Sequence, residues 1–165
     1  MPRSFSRRSR AFAMKNFVVG SDHGGLDAKA AVIALLEQRG ATVMDAGTHG
    51  PESVDYPDFA VKVAGMVSRG EAEQGVLVCG TGIGMSMVAN KFPGVRAALV
   101  TDEFMARMSR EHNNANVLVL GGRVVDVATA EKLVTAWLDA TFEGGRHQGR
   151  LDKITALERE LGLVK

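Results

Sequence analysis

One cysteine, four scattered histidines and no long apolar run set the first limits on this sequence of 165 residues. The lone Cys79 cannot close an internal disulfide, and no zinc-like ligand spacing occurs, so a reducing, cytosolic setting without a bound metal is expected. No stretch approaches the roughly 18 apolar residues of a membrane span, and none follows the charged, apolar, small-residue order of a secretory signal. A soluble, cytoplasmic protein with no membrane partner is the expectation. No G-x-x-x-x-G-K-[ST] occurs, and Gly80, Gly82 and Gly84 miss the dinucleotide fingerprint because Met85 stands where its last glycine belongs. Internal repeats and low-complexity linkers are also missing.

Charge of one sign is scarce except at the start. The net charge is +1, yet residues 1–13, "MPRSFSRRSRAFA", hold four arginines and no acid, which leaves the rest at −3. This leader lacks hydrophobic periodicity, and Met14 stands just before the first strand-like run. It reads as an appended, mis-started or disordered segment, with an organelle transit peptide as the alternative. A slightly acidic body behind it argues against nucleic-acid binding.

What is present is 45% hydrophobic content, enough for the core of one domain over residues 14–165. Short β-branched runs at 17–21, 42–45, 75–79, 95–101 and 117–121 alternate with stretches of near-3.6 periodicity, and a last helix is expected from about Arg150 to Leu161. The alternation predicts an α/β three-layer sandwich around a five-stranded parallel sheet. Ligands in such folds bind at the carboxyl ends of the strands, where the strand order reverses.

Those ends are rich in polar residues and glycine. In "VCGTGIGMSM", the turn Gly80–Gly84, with Thr81 and Ile83 inside it, would aim backbone N–H groups at an anion or a developing oxyanion; tight helix-to-sheet packing is the competing role. Cys79 sits where a helix start favours thiolate over thiol, so it could be a base or a nucleophile, or a buried filler. Asp22 suits an N-cap as well as a ligand contact, while His23 beside it is harder to assign to capping. His112 and Asn113 in "REHNNAN" suit a helix exit as well as a substrate. Arg146 and Arg150, four apart, repel on one helix face unless an anion such as phosphate bridges them. Together these groups describe acid–base work on a small phosphorylated, carbonyl-bearing substrate.

The order "GSDHGG", "DYPDFA", "VLVCGTGIGMSMVANKFPGVRAAL", "SREHNNANVLVLGGRVV" and "FEGGRHQGRLDKI" closely resembles the type B ribose-5-phosphate isomerases, which share a family with the galactose-6-phosphate isomerase subunits. The likeness runs from about Asn16 to Glu158. It implies a Rossmann-like fold and a cofactor-free interconversion of ribose 5-phosphate and ribulose 5-phosphate in the non-oxidative pentose phosphate pathway. It also implies a homodimer or homotetramer whose active sites are shared between subunits, with a C-terminal helix packed on the partner. By position, Cys79 matches the proton-abstracting base and His112 the group that assists ring opening. Asp22, His23, Gly80 to Gly84, Asn113, Arg123, Arg146 and Arg150 match substrate and phosphate contacts. Some members place a glutamate base where Met85 stands, so this chain resembles the cysteine subtype. An isomerase of allose or galactose 6-phosphate is the alternative, and a non-catalytic sugar-phosphate binder is a further one.

Overall fold

Three strands carry almost unbroken apolar runs, and they form the centre of the sheet. The computed structural model describes residues 15–164, so the expectations for the leader at 1–13 lie outside the described residues. In chain order the elements are β1 (Asn16–Ser21), a 3-10 turn (His23–Gly25), α1 (Leu26–Gln38), β2 (Thr42–Asp45), α2 (Tyr56–Ser68) and β3 (Gln74–Cys79). They continue with α3 (Ile83–Ala89), β4 (Ala97–Leu99), α4 (Glu103–Glu111), β5 (Val117–Gly121), α5 (Val127–Asp139) and α6 (Arg146–Glu160). All strand pairs are parallel, in the order β2-β1-β3-β5-β4. β3 and β5 are buried along their whole lengths, as a parallel strand covered on both faces must be.

The pleat sends successive side chains to opposite faces, and each face finds its own helices. Phe17, Val19, Val76, Val78, Leu118 and Leu120 pack against the α1, α4 and α5 side, where Leu36, Leu133 and Trp137 are fully buried. Val18, Leu77, Cys79, Val117 and Val119 face α2 and α3, with Val63 and Met85. Asp102 and Asp126 cap α4 and α5 by accepting from the N–H groups of Met105 and Thr129, both at 2.7 Å. No helix among the described residues is long and apolar enough to cross a membrane.

Two boundaries differ from the expectation. β4 is shorter than 95–101; it starts only at Ala97, because the Arg96 N–H donates to the Asn116 side chain at 2.7 Å instead of joining the ladder. α6 begins at Arg146, four residues earlier than expected. Gly144 and Gly145, both at positive φ, make the break, while buried His147 and Leu151, one turn apart, anchor the first turn and carry Gly149 inside the helix.

Candidate functional site

β2 and β3 leave β1 on opposite sides, so the strand order reverses between β1 and β3. At the carboxyl ends of that pair sit Ser21, Asp22 and His23 on one side and Cys79 and Gly80 on the other. The Cys79 Sγ accepts a hydrogen bond from the Gly82 N–H at 3.2 Å, and the residue is 4% exposed. Gly82 holds φ at +82°, and a Cβ there would approach the Leu120 carbonyl at 3.1 Å, so glycine is required by both conformation and space. The turn thus curls its backbone over the sulfur.

Three loops are stitched together around this point. The Gly122 N–H donates to the Cys79 carbonyl at 2.7 Å and the Arg123 N–H to the Gly80 carbonyl at 3.0 Å. A Cβ on Gly122 would meet the Gly24 carbonyl oxygen at 2.5 Å, and one on Gly80 would touch the Arg123 guanidinium at 3.5 Å. Arg123 therefore lies over the cysteine loop. Gly122→Ala is expected to push these loops apart and lower unfolding free energy by about 1–3 kcal/mol in urea titration, because backbone cannot yield as a side chain does.

Asp22 does cap: its Oδ1 accepts from the Gly24 N–H at 2.9 Å, and the side chain is buried. The His23 Nδ1 accepts from the Val54 N–H at 3.2 Å, which leaves Nε2 as the protonated nitrogen of the neutral ring. Thr81 Oγ1 accepts from the Ile83 N–H at 3.3 Å, and the Ile83 side chain stands half-exposed beside the turn. Tyr56 packs its ring on Gly84, where any Cβ would overlap it.

His112, Asn113, Arg146 and Arg150 are elsewhere. α4 runs back across the sheet, so His112 caps it beside the start of β5, whereas Cys79 pairs with Gly121 at the end of β5. β5 alone spans roughly 13 Å between those edges at 3.3 Å per residue. Arg146 and Arg150 begin α6 at the same far edge, exposed, and neither forms an ion pair among the described residues. One chain thus carries two candidate half-sites on opposite edges, and the residues that the sequence suggested as one constellation are divided between them.

The far half-site includes two residues the sequence reading passed over. The His147 ring stacks on His112 with centroids 4.1 Å apart and planes at 12°, and its Nε2 lies 3.3 Å from Glu143 Oε2. His112, Glu143 and His147 bring their ligand atoms within 4.8 Å of one another. One ion cannot lie in both imidazole planes, however, because planes that nearly parallel do not meet within the roughly 2.1 Å reach of a metal–nitrogen bond. As placed, the trio does not coordinate a metal.

Near the first half-site, Lys29 was also missed. It is 5% exposed, and its Nζ donates to Asp45 Oδ1 at 2.8 Å, Asp45 Oδ2 at 2.9 Å and the Thr48 carbonyl at 2.6 Å. Its signal was a lysine on the buried stripe of α1, in register with Val32 and Leu36. Burial works to raise the Asp45 carboxyl, but the Lys29 ammonium and the Gly47 N–H outweigh it and hold the group below its ordinary range. A lowered folded value gives stability above the unfolded value, near pH 4, that is lost as pH falls through the folded one. Lys29→Met should cost about 1–2 kcal/mol at pH 7, and the gap to wild type should narrow as chemical denaturation is repeated below about pH 4.

The fold and the first half-site define a Rossmann-like α/β protein with a buried thiol under a glycine turn at the sheet's switch point. Sequence comparison carries this further: residues 17–154 match the Ribose/Galactose Isomerase family, and the chain belongs to that family. It is 47% identical to ribose-5-phosphate isomerase B of Escherichia coli over 146 residues, which cover 88% of this chain and 98% of that one. Among solved structures, ribose-5-phosphate isomerase B of Clostridium thermocellum superposes with a TM-score of 0.86 at 53% identity, covering 88% and 99% of the two chains. The Mycoplasma genitalium enzyme, solved with bound ribulose-5-phosphate, superposes with a TM-score of 0.85 at 45% identity, covering 88% and 97%.

Proposed function

We propose that the chain is an aldose–ketose isomerase that interconverts ribose 5-phosphate and ribulose 5-phosphate through an enediolate. The observation that carries this is the Cys79 thiol at the switch point, with the Gly82 N–H on its sulfur. The Cys79 thiolate takes the proton from C2 of the open-chain aldose and returns it to C1, while the O2 hydroxyl proton ends on O1. A thiolate is a weak base for a carbon acid, so the developing oxyanion must be held. The first turn of α3 has backbone N–H groups without intrahelical acceptors to do this, beyond those already bound to Cys79 and Thr81. Arg123, Asp22 and His23 contact the substrate around them.

His112 opens the sugar ring, and Asn113, Arg146 and Arg150 complete the phosphate and substrate contacts, but from a second copy of the chain. The two-edge arrangement supports this, since one chain cannot bring His112 to its own Cys79. So does the surface of α6, where Ile154, Leu157 and Leu161 are between 46% and 63% exposed beside an apolar cavity of about 440 Å³ that Phe92, Val95 and Ala97 also line. Apolar surface of that kind is covered in an oligomer. Phosphate between Arg146 and Arg150 fixes C1 and C2 against the thiolate.

The experiment is a rate comparison on purified protein with ribose 5-phosphate, allose 6-phosphate and galactose 6-phosphate. Turnover is expected to be highest on ribose 5-phosphate; preference for a hexose phosphate would move the assignment within the family, and no turnover on any would overturn it.

A further inference from the structure

We propose that His147 is a positioning residue for His112, holding the ring-opening imidazole by face-to-face stacking; this rests on the isomerase reading above. The structure singles His147 out. Among the fifteen residues of α6 only His147 and Leu151 are buried, and His147, at 4% exposed, is an ionisable residue in a helix that is otherwise largely in solvent. Its ring covers His112 at 4.1 Å and 12°. The segment that brings it there is tied to the end of α4: the Glu143 N–H donates to the Glu111 carbonyl and the His147 N–H to the Gly144 carbonyl, both at 3.0 Å. Glu143 Oε2, 3.3 Å from His147 Nε2, steadies this inner, buried ring.

The consequence is rotational. A helix-end histidine with nothing packed on its ring can occupy several χ1 rotamers and a broad range of χ2, and a general acid–base must meet both the ring oxygen and the anomeric hydroxyl of the sugar. Stacking leaves the in-plane nitrogens of His112 open to the substrate while it fixes the plane. Arg146 and Arg150 flank His147 on the same helix, and the helix backbone rather than the His147 ring carries that phosphate anchor, so loss of the ring leaves it in place.

Ribulose 5-phosphate separates this role from general damage. Its O5 carries the phosphate, so it has no hydroxyl placed to close a furanose on C2, and its isomerisation needs no ring opening. His147→Ala is expected to lower kcat on ribose 5-phosphate about tenfold to thirtyfold, with kcat on ribulose 5-phosphate within about twofold of wild type. His147→Phe, which keeps a planar face, should recover ribose 5-phosphate turnover to within about threefold. In the same variants, the His112 ring-proton NMR resonances should shift on loss of the stacked ring in His147→Ala. Equal losses on both sugars, unchanged ring resonances, or a folded His147→Phe no better than His147→Ala would overturn the proposal. Absence of wild-type turnover on both sugars would instead overturn the isomerase reading, and the proposal with it.

Discussion

Cys79→Ala is expected to lower isomerase kcat by about three to five orders of magnitude while sugar-phosphate binding changes little. The thiol is the proton carrier, and no neighbour can take over. Met85, buried in the same cluster at 0% exposure, has no proton to exchange. Asp22 Oδ1 is held by the Gly24 N–H, and His23 presents Val54 with its acceptor nitrogen. Binding survives because the phosphate anchor is separate from the sulfur, and only the Gly82 N–H of the glycine turn is bonded to it. Steady-state rates with isothermal titration of a non-isomerising analogue, such as a sugar-acid phosphate, check both halves. A variant with near-wild-type turnover would remove Cys79 from the base role, and a variant that neither binds nor turns over would make it structural. Cys79→Ser should resemble Cys79→Ala, because a serine hydroxyl is a far weaker acid than a thiol and is not ionised at neutral pH.

His112→Ala is the second large effect, and it should depend on the form of the sugar. Loss of the group that moves a proton between ring oxygen and anomeric hydroxyl is expected to cost about 10²–10⁴ on ribose 5-phosphate. On ribulose 5-phosphate, which is already open, the loss should stay below about tenfold. Stopped assays in the two directions read this directly, and equal losses would count against a ring-opening role. The helix end itself should survive the substitution, because the His112 N–H bond to the Met108 carbonyl at 2.9 Å is backbone and does not need the imidazole.

The sheet was legible because buried parallel strands write themselves as apolar runs. β1, β3 and β5 stand within a residue of their expected positions for that reason. β4 was overdrawn because Val95 and Val100 are buried like strand residues, yet the ladder is limited by the Arg96–Asn116 side-chain bond, which no periodicity reveals. The start of α6 was hidden by Gly149, whose cost in a helix is offset by the packing of His147 and Leu151. At the site, the strand-to-helix junction placed Cys79 and its glycine turn at the sheet edge but left base, nucleophile and buried filler all open. The half-sites were not legible: a residue at a helix exit and one at a strand end look equally loop-like in sequence, and only the direction of α4 places them on opposite edges. Lys29 and His147 were missed because each stands among residues whose pattern suggested a simpler role, a core stripe for one and an arginine pair for the other.

A catalytic site made of Cys79 from one chain and His112 from another should be rebuilt when two crippled variants are mixed. Cys79→Ala and His112→Ala proteins, each purified, are unfolded and refolded together in equal amounts, then assayed on ribose 5-phosphate. In a mixed dimer one site carries both substitutions and the other carries neither, so random pairing is expected to restore about a quarter of wild-type activity. Activity no greater than the average of the two variants, with mixed oligomers confirmed by native mass spectrometry, would contradict the shared site.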